Sequence, residues 1–129
     1  RTHLRQGMIL IDTCILIDVL RGREQALAYV TGLDAQPAIS AVTATELVAG
    51  CRNVTERRQI DRLIENYVVH DIDRETACLA GEFIRAYGPS HGADPIDALI
   101  AATARIRGAT LATLNLKHFP MFKGLARPY

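Results

Sequence analysis

The chain has 129 residues, of which 49% are hydrophobic, 22% charged and 5% aromatic, and its formal net charge is +1. This length predicts one domain, since domains commonly span about 100–200 residues, and the composition excludes disordered, collagen-like and disulfide-rich chains. A net charge near zero excludes a strong overall attraction for nucleic acid, so any binding of a polyanion depends on a local patch or a bound metal.

The first apolar run begins at Met8, so we interpret residues 1–7 as an N-terminal extension or a cloning remnant and residues 8–129 as a single domain. Three cysteines cannot all pair with one another, and none of them forms a C-x-x-C motif, which favours a reducing compartment. No apolar run approaches the roughly 18 residues of a membrane span, and no signal-peptide pattern is present. We therefore expect a cytoplasmic protein.

The first half of the chain alternates short apolar runs with helical patterns. Residues 8–11 predict a strand, and apolar side chains recur at helical spacing in residues 14–20 and 24–33. Residues 38–40 predict a second strand and residues 43–51 a helix.

The second half continues the alternation. Residues 56–66 predict a helix, residues 67–70 a third strand and residues 74–87 a long helix. Residues 95–107 are apolar nearly all round, which is typical of a buried helix. Residues 110–114 predict a fourth strand.

The connections complete this outline. Residues 88–92 contain two glycines and a proline and predict a loop, and the tail from Pro120 has room for a fifth short strand. Strands that alternate with helices indicate an α/β fold, with a parallel sheet of four to five short strands and helices on both faces.

Three acidic residues fall where such a fold places a site. Asp12 directly follows the first strand, Glu46 lies one helical turn after the second, and Asp97 lies in the first turn of the buried helix. Ligands of parallel sheets bind at the carboxyl ends of the strands. Converging carboxylates repel each other unless a cation neutralises them, and a set of hard oxygen ligands suits Mg²⁺ or Mn²⁺.

Helix capping is an alternative explanation for each of these acids. Asp12 suits an N-cap. Thr43 and Glu46 have the spacing of a capping box, with Thr43 as the N-cap. Asp94 as an N-cap, followed by proline and then Asp97, matches the preferences of a helix start. The residues alone leave both interpretations open.

Polar residues also cluster around the end of the last strand, at Thr113, Asn115, Lys117 and His118. Asn115 can supply a further oxygen or orient a water, or it can be an ordinary turn residue. Lys117 and His118 can hold phosphate, or they can be solvated surface residues. Arg21, Arg23 and Arg52 are further candidates for phosphate contact with the same alternative.

Four segments of the chain resemble the PIN-domain proteins, and within them the VapC toxins of bacterial toxin–antitoxin pairs. The resemblance rests on residues 9–18 (ILIDTCILID), 45–47 (TEL), 97–104 (DALIAATA) and 113–119 (TLNLKHF), in the order and spacing of the family. It covers residues 8–129, and the DALIAATA string is specific.

The resemblance implies a PIN-like three-layer fold and a Mg²⁺- or Mn²⁺-dependent endoribonuclease, which hydrolyses RNA with a metal-activated water. It also implies a homodimer and neutralisation by a VapB-type antitoxin. The acids of the family fall on Asp12, Glu46 and Asp97. Its fourth acidic position falls on Asn115, a departure that weakens any second metal site.

Other positions near the implied site are assigned in the same way. The Ser/Thr positions of the family fall on Thr13 and Thr113, and Lys117 is a candidate for contact with the substrate. Asp94 has no firm role in the family and is a second-tier metal ligand, because it precedes Asp97 by one turn.

Two other interpretations differ in class. A phosphoacceptor receiver domain also has acids around Mg²⁺ on a parallel sheet, but it needs paired acids after the first strand, where Asp12 stands alone before Thr13. A PIN-fold module with weak catalysis, which acts through its partner, is favoured only by Asn115 at the fourth acidic position.

Overall fold

The structure is a computed structural model that describes residues 7–129, without the side chain of His91. Residues 1–6 of the predicted extension therefore lie outside it. The strands are β1 (Ile9–Ile11), β2 (Pro37–Ser40), β3 (Val68–His70) and β4 (Thr110–Ala112). The helices are α1 (Thr13–Leu20), α2 (Glu24–Thr31), α3 (Ala41–Ala49), α4 (Val54–Ile64), α5 (Arg74–His91) and α6 (Pro95–Arg107), and a 3₁₀ turn spans Leu116–His118.

The four strands form one parallel sheet in the order β3-β2-β1-β4. Successive residues of β1 point to opposite faces of the sheet. Leu10 packs into a core with α5, α6 and β4, whereas Ile9 and Ile11 pack into a second core with α1, α3 and α4. The predicted α/β fold with helices on both faces is confirmed.

Helix α6 lies in the first of these cores, as its apolar pattern predicts. Ala98 and every residue from Ile100 to Ala104 are buried. The alanines among them leave room for the backbone of α6 to lie close to its neighbours. Gly108 ends the helix with φ 65°, a left-handed conformation that glycine adopts without strain.

The predicted loop at residues 88–92 is wrong, because α5 continues through Pro89 to His91. A proline lacks the N–H that would bind the carbonyl four residues earlier, but this close to the end of a helix only one such bond is lost. The Gly92 N–H donates to the Gly88 carbonyl at 2.9 Å, and Gly92 takes the left-handed conformation that ends the helix.

The predicted fifth strand is also wrong: within residues 7–129, no strand follows β4. Side-chain contacts hold the tail instead. Phe119 and Met121 are buried in the core beside α6. The Arg105 guanidinium lies 5.0 Å from the centre of the Phe122 ring and donates to the Met121 carbonyl at 3.2 Å.

None of the helices within the described residues is both long and apolar enough to cross a lipid bilayer. Cys14, Cys51 and Cys78 are free thiols, and Cys78 is exposed.

Candidate active site

The topology of the sheet creates a crevice at the carboxyl ends of β1 and β4. The chain runs outward from β1 through β2 to β3 and then returns to place β4 on the other side of β1. The connections after β1 and β4 therefore lead away in different directions, which opens the crevice where parallel sheets bind their ligands.

Asp12 lies at the base of this crevice and is only 4% exposed. Its Oδ1 accepts a hydrogen bond from the Thr13 N–H at 2.8 Å, so Asp12 caps α1 as its position suggests. Its Oδ2 accepts a bond from the Thr113 hydroxyl at 2.7 Å. Capping thus uses Oδ1, and Oδ2 accepts the hydroxyl of Thr113, which follows β4. Asp12 can therefore be both a helix cap and a residue of the site.

The Cys14 thiol lies on the same carboxylate, with Sγ 3.4 Å from Asp12 Oδ2. Burial, and then the charge of Asp12, raises the pKa of Cys14 to about 11. The thiol therefore stays protonated at neutral pH and can donate to the carboxylate.

The capping box predicted for Glu46 is wrong. Helix α3 begins at Ala41, and Ser40 is its N-cap, accepting a hydrogen bond from the Val42 N–H at 3.2 Å. Ser40 ends β2 and is fully buried, so the helix starts directly at the edge of the sheet. Glu46 consequently lies in the second turn, too far along α3 to cap it.

Glu46 points instead toward α1, where its Oε1 accepts a hydrogen bond from the Thr13 hydroxyl at 2.6 Å. Thr13 Oγ1 in turn lies 3.0 Å from Thr43 Oγ1. Thr43 was interpreted from the sequence as a cap, and its contact with Thr13 was missed. The available signal was its spacing, because Thr43 and Glu46 are three residues apart and share one face of the helix.

The start of α6 agrees with the sequence. Asp94 is the N-cap, accepting a bond from the Ile96 N–H at 2.7 Å, and Asp97 lies in the first turn. Burial raises the pKa of Asp97 to about 6, and the charges of Asp12, Asp94 and Glu46 act in the same direction. These charges repel one another across the crevice.

His118 faces this acid rather than open solvent, with Nδ1 3.2 Å from Asp97 Oδ2. The nearby imidazole lowers the pKa of Asp97 and so opposes part of the effect of burial. The sequence analysis gave His118 no contact with an acid. Its distance of 21 residues from Asp97 along the chain hides the pair from any local pattern.

Asn115 and Lys117 do not reach the acids in the same way. Both are exposed, and the contact of Asn115 with the site is made by its backbone N–H, which donates to the Thr113 hydroxyl at 2.9 Å. Asn115 thus supports Thr113, which in turn holds Asp12. Its side-chain role as an oxygen ligand stays a prediction.

The arginine candidates are differently placed. Arg23 pairs with Asp18 at 3.3 Å and Arg52 with Glu56 at 2.8 Å. Arg21 is exposed and lines the same groove as Glu46 and Arg52, which places two basic side chains beside one of the acids.

The donor chemistry of the crevice fits a hard divalent cation. Asp12, Glu46 and Asp97 offer carboxylate oxygens from three separate elements, and the charges of Asp12 and Glu46 add to burial in raising the pKa of Asp97. Within residues 7–129, however, no three His, Cys, Asp or Glu side chains lie close enough together to hold a metal ion as they are placed. A bound ion would need small side-chain movements at the rim, where Glu46 is exposed and Asp97 half-buried.

Comparison with known proteins identifies the family of this fold. The PIN domain family model matches residues 9–122, and the chain belongs to the PIN-domain family. Within that family its curated relatives are VapC ribonucleases. Ribonuclease VapC10 of Mycobacterium tuberculosis is 41% identical over 125 residues, which cover 95% of this chain and 93% of the relative. Family membership excludes the receiver-domain interpretation.

Solved structures agree. A toxin–antitoxin complex from Klebsiella pneumoniae contains a chain with 27% identity and a TM-score of 0.81, covering 94% of this chain and 98% of its own. The FitAcB structure from Neisseria gonorrhoeae has 28% identity and a TM-score of 0.68, covering 87% of this chain and 91% of the other.

Replacing Thr113 with valine is expected to destabilise the metal-free protein by about 1–3 kcal/mol, because the buried Asp12 carboxylate loses a donor and the Asn115 N–H loses its acceptor. Thr113→Ser, which keeps the hydroxyl, should lose less. Thr110→Val, at the exposed start of β4, three residues before Thr113, is the control and should change stability by less than about 0.5 kcal/mol. Urea unfolding measures all three, and a Thr113→Val protein as stable as wild type would contradict the hydrogen bonds described.

Proposed function

We propose that this protein is a Mg²⁺- or Mn²⁺-dependent endoribonuclease that acts as the toxin of a toxin–antitoxin pair. One observation carries the proposal: Asp12, Glu46 and Asp97, on three different elements, interact electrostatically across one crevice. The VapC ribonucleases that share about two fifths of the sequence support the same activity.

Asp12, Glu46 and Asp97 are the residues that would hold the ion, with Asp94 as a further candidate. The ion lowers the pKa of a bound water and offsets the negative charge that develops on the phosphate. The chain itself orients these acids: Thr113 fixes one oxygen of Asp12, and Thr13 fixes one oxygen of Glu46. Glu46 keeps Oε2 for the site, whereas both oxygens of Asp12 already accept a hydrogen bond and would bind the ion with their remaining lone pairs.

RNA would reach the site with help from basic side chains on two sides. Arg21 and Arg52 lie beside Glu46, and Lys117 is an exposed residue that precedes His118, the partner of Asp97, in the chain. Because the net charge is small, affinity for RNA should be modest and cleavage should favour single-stranded loops, whose bases are accessible.

A VapB-type antitoxin is the proposed partner, as in the toxin–antitoxin complexes with the same fold. A groove of about 560 Å³ lies beside the site and can accept an amphipathic segment. Ile17 and Leu20 supply exposed apolar surface, and Glu46 can attract a basic side chain from the partner. Leu20 lines this groove, whereas Ile15 of the same helix is fully buried in the core. We also expect the homodimer that the resemblance implies.

A binding module with weak catalysis remains the alternative, and the observation in its favour is the exposed Asn115 at the fourth acidic position. Catalysis distinguishes the two. The purified protein is expected to cut single-stranded RNA with Mg²⁺ or Mn²⁺ and to stop in EDTA. Asp12→Asn, which can still cap α1, should abolish cutting. Asp61→Asn, an exposed acid paired with Arg57 on α4, should not. RNA left intact by well-folded wild-type protein with either ion would favour the binding module.

Expression without the antitoxin provides the cellular test of the toxin. The wild-type chain is expected to arrest growth, and Asp12→Asn should relieve the arrest at equal protein level. Co-expression of the antitoxin should do the same. Full growth with the wild-type chain alone would count heavily against a toxin.

A further inference from the structure

We propose that Thr43 is a positioning residue for Glu46, acting through the hydroxyl of Thr13. This inference rests on the proposed function, since it assigns a role to Thr43 in presenting Glu46 to the metal. Thr43 lies on α3, is fully buried and does not reach the crevice itself. Its hydroxyl lies 3.0 Å from that of Thr13, which donates to Glu46 Oε1 at 2.6 Å.

The direction of the hydrogen bonds follows from the number of protons. A hydroxyl has one proton, and an ionised carboxylate can only accept. The Thr13 oxygen is placed to donate to both Glu46 Oε1 at 2.6 Å and Thr43 Oγ1 at 3.0 Å. Its one proton goes to the shorter bond with the charged carboxylate, so the proton of the 3.0 Å contact is that of Thr43. The three groups form a one-way chain from Thr43 through Thr13 to Glu46, and loss of the Thr43 hydroxyl leaves Thr13 with one bond in place of two.

Thr43 lies in the first turn of α3, and the residue four positions before it, Ile39, belongs to β2, so its hydroxyl is placed differently from those of other helical threonines. A threonine within a helix commonly donates to the carbonyl four residues earlier. Thr45 does so to Ala41 at 3.2 Å, and Thr103 to Leu99 at 2.8 Å. The Thr43 hydroxyl instead reaches across to α1. Its bond therefore links the two helices that carry Thr13 and Glu46.

Glu46 needs such a link because it is exposed at the rim of the site. A free glutamate side chain samples several rotamers, and fixing it in one of them costs conformational entropy. The chain of hydroxyls fixes Oε1 before any ligand arrives and leaves Oε2 available. Partners that orient a metal ligand in this way commonly change metal affinity by about 10–100-fold when they are removed.

The test compares Thr43→Val and Thr43→Ala, which remove the hydroxyl, with Thr43→Ser, which keeps it. The control is Thr76→Val, at a similarly buried threonine of α5 whose hydroxyl donates to Asp73. Titration with Mn²⁺, followed by electron paramagnetic resonance, is expected to show affinity about tenfold weaker for the first two variants and unchanged for the last two. RNA cleavage at a Mn²⁺ concentration near the wild-type Kd should show a lower kcat with an unchanged KM.

The rotamer of Glu46 can also be measured in the metal-free protein, as a direct test of the hydrogen bonds that fix it. Side-chain scalar couplings of Glu46 should indicate one rotamer in the wild type and in Thr43→Ser, and averaging in Thr43→Val. In a Glu46→Gln background, Thr43→Val should cause no further loss of Mn²⁺ affinity.

Three results would overturn the inference. The first is a Thr43→Val protein that binds Mn²⁺ as tightly as the wild type and keeps a single Glu46 rotamer. The second is a Thr43→Ser protein whose Mn²⁺ affinity falls as far as that of Thr43→Val. The third is a tenfold loss of Mn²⁺ affinity when Thr43→Val is added to Glu46→Gln. Failure of the proposed function looks different: the wild-type protein itself would neither bind Mn²⁺ nor cut RNA.

Discussion

Replacing Glu46 with glutamine is expected to lower ribonuclease activity by at least about a hundredfold, the usual order for losing a key electrostatic group. Glutamine keeps a side-chain oxygen that can accept the Thr13 hydroxyl, so the contact between α1 and α3 survives. It loses the full negative charge that a divalent ion requires. The melting temperature without metal should therefore stay close to that of the wild type, while cleavage of single-stranded RNA nearly stops.

Glu65→Gln is the matched control, because Glu65 is an exposed glutamate at the end of α4. It should retain wild-type cleavage and stability. A Glu46→Gln protein that cuts RNA at the wild-type rate would remove Glu46 from the site and leave Asp12 and Asp97 to hold the metal.

The second large effect is expected at Asp97, where asparagine should stabilise the metal-free protein at pH 8 and leave it unchanged near pH 4. Burial is the main reason that the pKa of Asp97 rises from 3.8 to about 6 on folding. A raised pKa favours the protonated acid in the folded state, so stability is lost as the pH rises through that range. Asparagine cannot ionise and avoids the loss, which is about 1 kcal/mol after allowance for solvent screening of this half-buried group.

Added Mn²⁺ should make the wild type more stable than Asp97→Asn at pH 8, the reverse of their order without metal. Metal binding raises the melting temperature of the wild type by mass action, and Asp97→Asn should lose most of that rise. The variant Asp94→Asn, which can still cap α6, tests whether Asp94 is also a ligand. If Mn²⁺ raises its melting temperature as much as that of the wild type, Asp94 is not a ligand. Equal metal-induced shifts in the wild type and Asp97→Asn would contradict a role for Asp97 in binding.

The position of the acids could be predicted because it depends on simple geometry. Strands that alternate with helices dictate a parallel sheet, and the carboxyl ends of its strands share one edge. Asp12 follows β1 immediately and Asp97 opens a helix that must be buried, so both were located by their place in the pattern. The pattern required no information about distant contacts.

The start of α3 could not be fixed in the same way. Ser40 and Thr43 are both good N-cap residues, and propensity alone does not separate two candidates three positions apart. The pairing of β2 with β1 decides between them, since it carries the strand to Ser40 and leaves the helix to begin at once. The competing role of Glu46 as a cap was therefore based on the wrong helix start, whereas its role in the site stays a prediction.

The contact of the Thr13 hydroxyl with Glu46 could not be predicted from the sequence for a related reason. Thr13 and Glu46 are 33 positions apart, and they meet only because α1 and α3 pack on the same face of the sheet. His118 and Asp97 likewise depend on how the tail after β4 folds back over α6. Such contacts depend on how helices pack against each other, which local patterns do not encode.

The return of β4 to the side of β1 also has a consequence for biosynthesis. Asp12 depends on a hydrogen bond from Thr113, a residue 101 positions later in the chain. During translation, a nascent chain that has not yet released β4 from the ribosome has all three acids but no second wall for the crevice. The crevice is therefore complete only once β4 has left the ribosome, and a chain cut before residue 110 is expected to be inactive as a nuclease even though it retains Asp12, Glu46 and Asp97.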